Sequence, residues 1–197
     1  MGMVMQSSFR GFFALRLPEA AIESLRAVQQ NLANRLRRSS LNLRWVDPDN
    51  WHVTLKFLGS LDVALVGELA QLLRDAAGTS DQIVTRCGRM LAFPSAQRAR
   101  IIAVSIRDGE NRIGDLARRL EDGVRCHGVA PEGRPFRAHV TIGRLRTPGN
   151  VRQFVDGIHL DSRDICLQEV RLYASILRPS GAVHQCLETA LLGGRHA

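Results

Sequence analysis

Two histidines open the same four-residue phrase, which occurs once in each half of the chain. The first copy is His52-Val53-Thr54-Leu55 and the second is His139-Val140-Thr141-Ile142. An imidazole gains and loses protons near neutral pH, so two of them suit a reaction in which one gives a proton while the other takes one. The doubled phrase therefore predicts acid–base catalysis.

Both phrases lie in runs that are typical of β-strands, predicted over residues 51–58, with Gly59 ending the strand, and 136–145. Side chains alternate between the two faces of a strand, and the apolar set anchors each strand to a core. Strict alternation predicts a shared polar face made of His52, Thr54 and Lys56 in the first strand and of His139 and Thr141 in the second. If the two strands face each other across a cleft, these groups converge on one small target.

A phosphodiester is a target that suits these groups. Threonine hydroxyls can donate hydrogen bonds to the non-bridging oxygens as phosphorus becomes five-coordinate. One imidazole can take a proton from the attacking water while the other, already protonated, gives one to the departing oxygen. Zinc binding is the competing chemistry, but two histidines without a third His, Asp or Glu in register make a poor zinc site. The remaining histidines are interpreted as structural or solvated: His127, His159, His184 and His196.

Arginine dominates the charge of the chain. Lys and Arg together number 27 against 19 Asp and Glu, so the net charge is +8, and Lys56 is the single lysine. This excess favours a polyanionic partner such as nucleic acid, because guanidinium groups bind phosphate oxygens bidentately. A coding bias toward arginine would produce the same composition without any such ligand.

Length and composition bound the remaining possibilities. The 197 residues, 45% of them hydrophobic, suffice for one large domain or two small lobes that share a core. No apolar run approaches the roughly 20 residues of a membrane span, and no signal peptide is recognisable, so we expect a cytoplasmic monomer that enters no membrane. The four cysteines are widely spaced, and we expect reduced, mostly buried thiols.

The elements around the two strands follow a mixed order. Pro18 opens a helix with an apolar stripe, and two further amphipathic helices are expected. The predicted helical stripes are Ile22, Leu25, Val28, Leu32 and Leu36; then Leu65, Val66, Leu69, Leu72 and Leu73; then Ile113, Leu116, Leu120 and Val124. The other predicted strands cover residues 9–17, 83–89, 101–106, 165–174 and 183–192, with a turn at 178–181. Helices and strands neither alternate strictly along the chain nor fall into separate blocks, which favours an α+β fold.

The sequence resembles the 2H phosphoesterase superfamily, and in particular the bacterial and archaeal RNA 2′,3′-cyclic phosphodiesterases, also called 2′-5′ RNA ligases. Residues 51–59, WHVTLKFLG, are similar to the first signature of that family, and residues 136–144, FRAHVTIGR, to the second. Residues 10–18 and 170–175 are similar to its opening and late strands. Two departures are that Ala138 stands where a proline often precedes the second histidine, and that His184 replaces a frequent tyrosine.

The resemblance implies one domain over residues 1–197, made of two lobes with mainly antiparallel sheets, outer helices and a central cleft. It implies hydrolysis of a 2′,3′-cyclic phosphate on an RNA end or a nucleotide to a 2′-phosphate, with no metal and no cofactor. By this likeness His52 is the proton donor and His139 the proton acceptor, while Thr54 and Thr141 hold the phosphate. The same groups acting in reverse would perform 2′-5′ ligation.

Other residues are candidate substrate contacts. Arg137 and Arg144 flank the second phrase and are candidate phosphate clamps, although strict alternation places both on the face opposite His139. Lys56 would project toward the phosphate, and Phe13 or Phe57 would either stack on a base or pack in the core. Two other functions stay open: an RNA-binding module without turnover, and a related phosphodiesterase for an ADP-ribose cyclic phosphate or a 2′-5′-linked oligonucleotide.

Overall fold

The computed structural model describes residues 8–160, 163–178 and 181–193 of the chain. The strands are β1 (Ser8–Arg16), β2 (Leu43–Trp45), β3 (His52–Asp62), β4 (Ile83–Thr85), β5 (Cys87–Phe93), β6 (Ala99–Ile106), β7 (His139–Gly149), β8 (Ile165–Leu167), β9 (Glu169–Arg178) and β10 (Gly181–Leu191). The helices are α1 (Glu19–Leu36), α2 (Val66–Gly78), α3 (Arg112–Gly123) and α4 (Arg152–Val155). The predicted α+β class is confirmed. None of the described helices is long and apolar enough to cross a membrane.

Within these residues the strands form one large sheet and one small one. The large sheet has the order β10-β9-β1-β3-β7-β6-β5, with β2 paired to β7 as its eighth strand, and β4 pairs with β8 in the small sheet. Every pairing is antiparallel. An antiparallel sheet can bury one face and leave the other accessible, and this sheet is arranged in that way.

The helices cover one face of the large sheet. α1 follows Pro18, and its stripe includes Leu25 and Leu32, neither of which has any exposed surface. The buried residues of α2 and α3 join the same hydrophobic cluster, to which Val53 and Val140 also belong. The apolar residues of both motif strands thus point toward the helices. We call the opposite side of the sheet the open face.

The two motif strands are neighbours in this sheet. β3 and β7 pair at one point, where Val53 lies opposite Val140. At this point the two strands therefore lie side by side in one sheet. Beyond this contact the strands diverge, and residues 130–138, which we call the second-motif loop, lead into β7.

A β-bulge interrupts each motif strand three residues after its histidine. Leu55 lies outside the register of β3 with β1, and Ile142 lies outside the register of β7 with β6. A bulge places an extra residue on one strand and shifts the alternation that follows. Leu55 and Lys56 are accordingly both buried, as are Ile142 and Gly143. Strict alternation therefore gives the wrong face for the residues that directly follow each bulge.

Several strand limits differ from the predicted ones. Gly59 does not end β3, which continues to Asp62. Gly59 itself adopts a φ of +72°, which glycine tolerates. The second motif strand begins at His139, not at residue 136, and the predicted strand 83–89 is divided between β4 and β5. β2 and α4 have no counterpart among the predicted elements. Part of the predicted turn at 178–181 lies outside the described residues, as does His196.

The cysteines differ in exposure. Cys87 is buried and Cys166 is half-buried, whereas Cys126 and Cys186 are exposed. The expectation of mostly buried thiols is therefore wrong for the last two.

Candidate functional site

The four motif side chains belong to the open face of the sheet. The antiparallel register through Val53 and Val140 sets His52 across from Thr141, and Thr54 across from His139. The two histidines thus occupy diagonal positions, for which the Cα atoms are typically about 7–8 Å apart. Such a separation leaves room for one phosphate group between the two rings.

The same hydrogen bond orients both histidines. Nδ1 of His52 lies 2.7 Å from the carbonyl oxygen of Asn50, and Nδ1 of His139 lies 2.7 Å from the carbonyl oxygen of Arg137. A carbonyl oxygen only accepts, so Nδ1 carries the proton in each neutral ring and Nε2 keeps a lone pair. Thr54 Oγ1, at 3.0 Å from Nε2 of His52, donates to that lone pair. Nε2 is therefore the atom of each histidine that is available to exchange a proton.

Aromatic side chains from three strands enclose His52. Phe12 of β1 stacks on the His52 ring at a centroid distance of 4.8 Å, and Tyr173 of β9 stacks on Phe12 at 5.2 Å. His184 of β10 meets the His52 ring edge-on at 5.4 Å, and its Nδ1 is buried without a hydrogen-bond partner among the described residues. His184 therefore belongs to the surroundings of His52, which its interpretation as a structural or solvated residue does not predict.

Phe12, not Phe13, is the aromatic residue of β1 on the open face. Phe13 has no exposed surface and belongs to the hydrophobic core, so the candidate role of Phe13 as a base-stacking residue is wrong. Phe12 is also almost fully buried, at 2% exposure, and supports the His52 ring. Sequence reasoning misses its role because the choice between two adjacent phenylalanines depends on the neighbouring strands.

The surroundings of His52 make it a weak base. Burial, which disfavours the charged imidazolium, lowers its pKa from 6.5 to about 4, and the nearby His184 and Arg144 act in the same direction. Burial and Arg144 also lower the pKa of His184. His52 is therefore neutral near pH 7 in the unliganded protein.

Arg144 brings a positive charge to the open face near His52. The bulge at Ile142 shifts the alternation of β7, so Arg144 lies on the same face as His139 and not on the predicted opposite face. Its charge acts on both His52 and His184, and its side chain is exposed at the surface of the site. It is well placed to meet an anion bound between the histidines.

Lys56 does not reach the open face, so its candidate role as a substrate contact is wrong. The bulge at Leu55 turns Lys56 toward the core, where only 2% of its surface is exposed. Its ammonium group lies 2.9 Å from a carboxylate oxygen of Glu121 and donates to the carbonyl oxygen of Ala130 at 2.7 Å. A buried charge needs such partners. Lys56 thus anchors the second-motif loop.

Phe57 occupies the open side of β3 that was predicted for Lys56. It is 58% exposed and lies 6.0 Å from Phe12 between ring centroids. A cavity of about 280 Å³ opens beside it, at the place where β3 and β7 diverge. Its lining includes Thr54, Phe57, Ala117, Phe136, Arg137 and His139. The side chain of Arg137 is exposed in this wall, while its backbone orients His139.

Acidic residues near the site have structural roles. Asp47 accepts a hydrogen bond from the backbone N–H of Asp49 at 3.0 Å, which is typical of a turn. Within residues 8–160, 163–178 and 181–193, no group of three or more His, Cys, Asp or Glu side chains is arranged to hold a metal ion.

The open antiparallel sheet with its two His-x-Thr strands places the chain among the phosphoesterases of the two-histidine class. The family model described as LigT like phosphoesterase matches residues 15–103 and 104–184, one segment for each motif strand. The chain therefore belongs to this family, as the sequence resemblance predicts.

Relatives and solved structures agree with this assignment. The RNA 2′,3′-cyclic phosphodiesterase of Methanothermobacter thermautotrophicus is 25% identical over 183 residues, which are 91% of this chain and 96% of that protein. TT0787 of Thermus thermophilus has a TM-score of 0.79 at 24% identity, covering 95% of this chain and 100% of that one. E. coli LigT complexed with 3′-AMP has a TM-score of 0.72 at 21% identity, covering 95% and 99%. These two structures share the fold of this chain.

Proposed function

We propose that this protein hydrolyses the 2′,3′-cyclic phosphate of an RNA end or a nucleotide to a 2′-phosphate. The observation that carries the proposal is the diagonal placement of His52 and His139 on one face, each with Nδ1 bound to a carbonyl and Nε2 available. The relative from Methanothermobacter thermautotrophicus is named for this activity. The E. coli LigT structure with 3′-AMP further supports a nucleotide substrate.

In the proposed reaction, the cyclic phosphate lies between the two histidines. Nε2 of His139 takes a proton from the attacking water, whose oxygen forms the new bond to phosphorus. The bond from phosphorus to the 3′ oxygen breaks, and protonated Nε2 of His52 gives its proton to that oxygen. Thr54, Thr141 and Arg144 bind the non-bridging oxygens. The same forward step, with a 5′-hydroxyl in place of water as the nucleophile, would form a 2′-5′ phosphodiester, which is ligation.

The donor role requires His52 to be charged when the substrate is bound. Its pKa of about 4 in the unliganded protein reflects burial and three basic neighbours, His184, Arg144 and His139. A phosphate monoanion beside the ring raises this pKa and also offsets the charge of Arg144. Once Nε2 is protonated, it no longer accepts from Thr54, which frees the threonine hydroxyl proton for a phosphate oxygen and leaves the Nε2 proton for the 3′ oxygen. We therefore infer that substrate binding itself charges His52.

The direct test is hydrolysis of a 2′,3′-cyclic mononucleotide by the purified protein in excess chelator, with the product identified by chromatography. The expected product is the 2′-phosphate, and either the 3′-phosphate or no turnover would refute the proposal. His159→Ala is the matched control for substitutions of the two motif histidines, because His159 is exposed and lies near α1, on the helical side of the sheet. Binding of RNA without turnover would instead indicate the binding-module function.

A further inference from the structure

The carbonyl groups that orient the two histidines are held in different ways. The carbonyl of Asn50, which orients His52, belongs to a short 3₁₀ turn. This turn is closed where the backbone N–H of Trp51 donates to the carbonyl oxygen of Pro48 at 3.0 Å. The carbonyl of Arg137, which orients His139, has no such turn, because the backbone groups of residues 130–137 make no hydrogen bonds to one another. Its position therefore depends on contacts from other parts of the chain.

Two backbone groups tie the start of the second-motif loop to the rest of the protein. The carbonyl oxygen of Ala130 accepts from the Lys56 ammonium group at 2.7 Å, and the backbone N–H of Glu132 donates to the Glu121 carboxylate at 2.9 Å. Lys56 and Glu121 in turn form an ion pair at 2.9 Å. Residues 130–137 are all exposed, so packing adds little to these bonds. The loop is next fixed at Ala138, which is buried.

The chemistry of this ion pair is suited to holding a loop. Lys56 is the single lysine beside many arginines, and an ammonium group is a compact charge with three donors. Oxygens of Glu121, Ala130 and Glu132 lie 2.9, 2.7 and 3.8 Å from it. Burial by itself raises the pKa of Glu121, but the hydrogen bonds from Lys56 and from the backbone of Glu132 outweigh this effect and lower that pKa. A buried ion pair often stabilises a fold no better than apolar residues would, which points to a role other than stability.

We propose that Lys56 and Glu121 are positioning residues for His139. They hold the second-motif loop, and the loop keeps the carbonyl of Arg137 against Nδ1 of His139. The hydrogen bond at one ring nitrogen sets which nitrogen carries the proton, so this bond leaves Nε2 of His139 free to accept one. The inference rests on the proposed function, in which His139 takes a proton from water. The strand of the first motif thus determines how the histidine of the second motif is oriented.

The first test removes both charges in the double variant Lys56→Met/Glu121→Leu. Replacing a buried ion pair with apolar residues of similar size is often neutral for stability, so the variant should fold, and urea unfolding would verify this. We expect kcat for adenosine 2′,3′-cyclic phosphate to fall about tenfold, because a displaced general base is less often in position to take the proton. KM should change by less than about threefold, since Thr54, Thr141 and Arg144 lie outside the loop.

The proton on the His139 ring gives a readout that a loss of stability alone would not change. Nitrogen NMR of the unliganded protein at about pH 8.5, where imidazoles are neutral, distinguishes a proton on Nδ1 from one on Nε2. In the wild type, His52 and His139 should both carry it on Nδ1. In the double variant His139 should divide its proton between the two nitrogens, whereas His52, oriented by the turn at Asn50, should keep it on Nδ1.

Arg119→Met is the matched control, because Arg119 also fastens α3 but not to the loop. Its guanidinium group donates to the carbonyl oxygen of Thr79 at 3.0 Å and to the hydroxyl of Ser80 at 2.7 Å. This variant should keep the kcat of the wild type and the proton of His139 on Nδ1. Equal effects in Arg119→Met and in the double variant would overturn the inference.

Glu121→Ala and Glu121→Gln provide a second test, which also decides the matter if the double variant does not fold. Both remove the same charge, but only glutamine keeps an oxygen that can accept from the backbone N–H of Glu132. We expect kcat to fall about fivefold in Glu121→Ala and about twofold or less in Glu121→Gln. Equal kcat values in the two variants would overturn the inference.

Failure of the inference is distinct from failure of the proposed function. A folded double variant with the kcat of the wild type and with His139 protonated on Nδ1 overturns the positioning role, while hydrolysis itself still supports the proposed function. Absence of hydrolysis in the wild type refutes the proposed function instead. The NMR comparison of the unliganded proteins needs no turnover, so it still tests whether the ion pair orients His139.

Discussion

The two motif strands are nearly equivalent, yet their histidines have different surroundings. β3 and β7 have identical burial patterns over their first nine residues, a bulge at the same position and the same hydrogen bond at Nδ1 of the histidine. His52 is nevertheless enclosed by Phe12 and His184, whereas His139 lies beside an open cavity and 5.2 Å from Phe93. The strand pattern therefore sets the position of each imidazole, and the neighbouring strands set how far each ring is enclosed, which lowers the pKa of His52.

The largest effect should come from removing either histidine. We expect His52→Ala and His139→Ala each to lower kcat by about 10²-fold or more, since each removes one proton transfer. The residual activity separates the two roles. His139→Ala keeps the donor His52, so its rate should fall as the pH rises. His52→Ala keeps the acceptor His139, so its rate should rise with pH. Opposite slopes, measured from pH 4 to 8, would reverse the assignment.

The enclosure of His52 should also make stability depend on pH. Its pKa in the folded protein, about 4, lies below its ordinary 6.5, so between these values the unfolded chain binds a proton that the folded chain does not. The free energy of unfolding should therefore be highest above about pH 6.5 and should fall as the pH is lowered toward 4, by about 3 kcal/mol. Urea unfolding of wild type and His52→Gln would measure this, and an equal pH dependence in both would contradict it.

Arg144 and Phe57 occupy the same position in the two strands, five residues after each histidine, so β7 has a positive charge where β3 has an aromatic ring. Arg144→Gln should reduce kcat/KM for a cyclic mononucleotide by about tenfold, mainly through KM, because a charge-assisted hydrogen bond to the phosphate is lost. The exposed Arg152→Gln is the matched control. Unaltered kinetics in Arg144→Gln would show that its charge does not act on the substrate.

The smallest effect should follow from His184→Phe, which keeps a ring against Phe12 but removes an ionisable neighbour of His52. The pKa of His52 should move upward toward its ordinary value, because the coulombic effect of His184 is lost while the burial persists. NMR titration of the His52 ring would detect this change, with His159→Phe as the control. A pKa that stays the same in His184→Phe would show that His184 contributes nothing to the lowering.

The sequence patterns are sufficient for most elements of the fold. The apolar stripes of α1, α2 and α3 and the alternation around each His-x-Thr phrase come from local periodicity, which is readable without a partner strand. The short elements β2 and α4 escape prediction because three or four residues carry too little periodicity. Alternation shows which face of each motif strand is buried but not which strand lies alongside, so it does not predict that β3 and β7 are neighbours.

The sequence by itself determined that two strands present a histidine and a threonine on a common face, since the hydrophobic residues between them must be buried. The tertiary structure determines which later residues of β3 and β7 lie on the same face as these histidines and threonines. The bulges at Leu55 and Ile142 exist only relative to β1 and β6, and they bury Lys56 while they bring Arg144 to the open face. The contact between His184 and His52 likewise requires β10 and β1 to lie on the two sides of β9. Such long-range pairing is not contained in any local pattern.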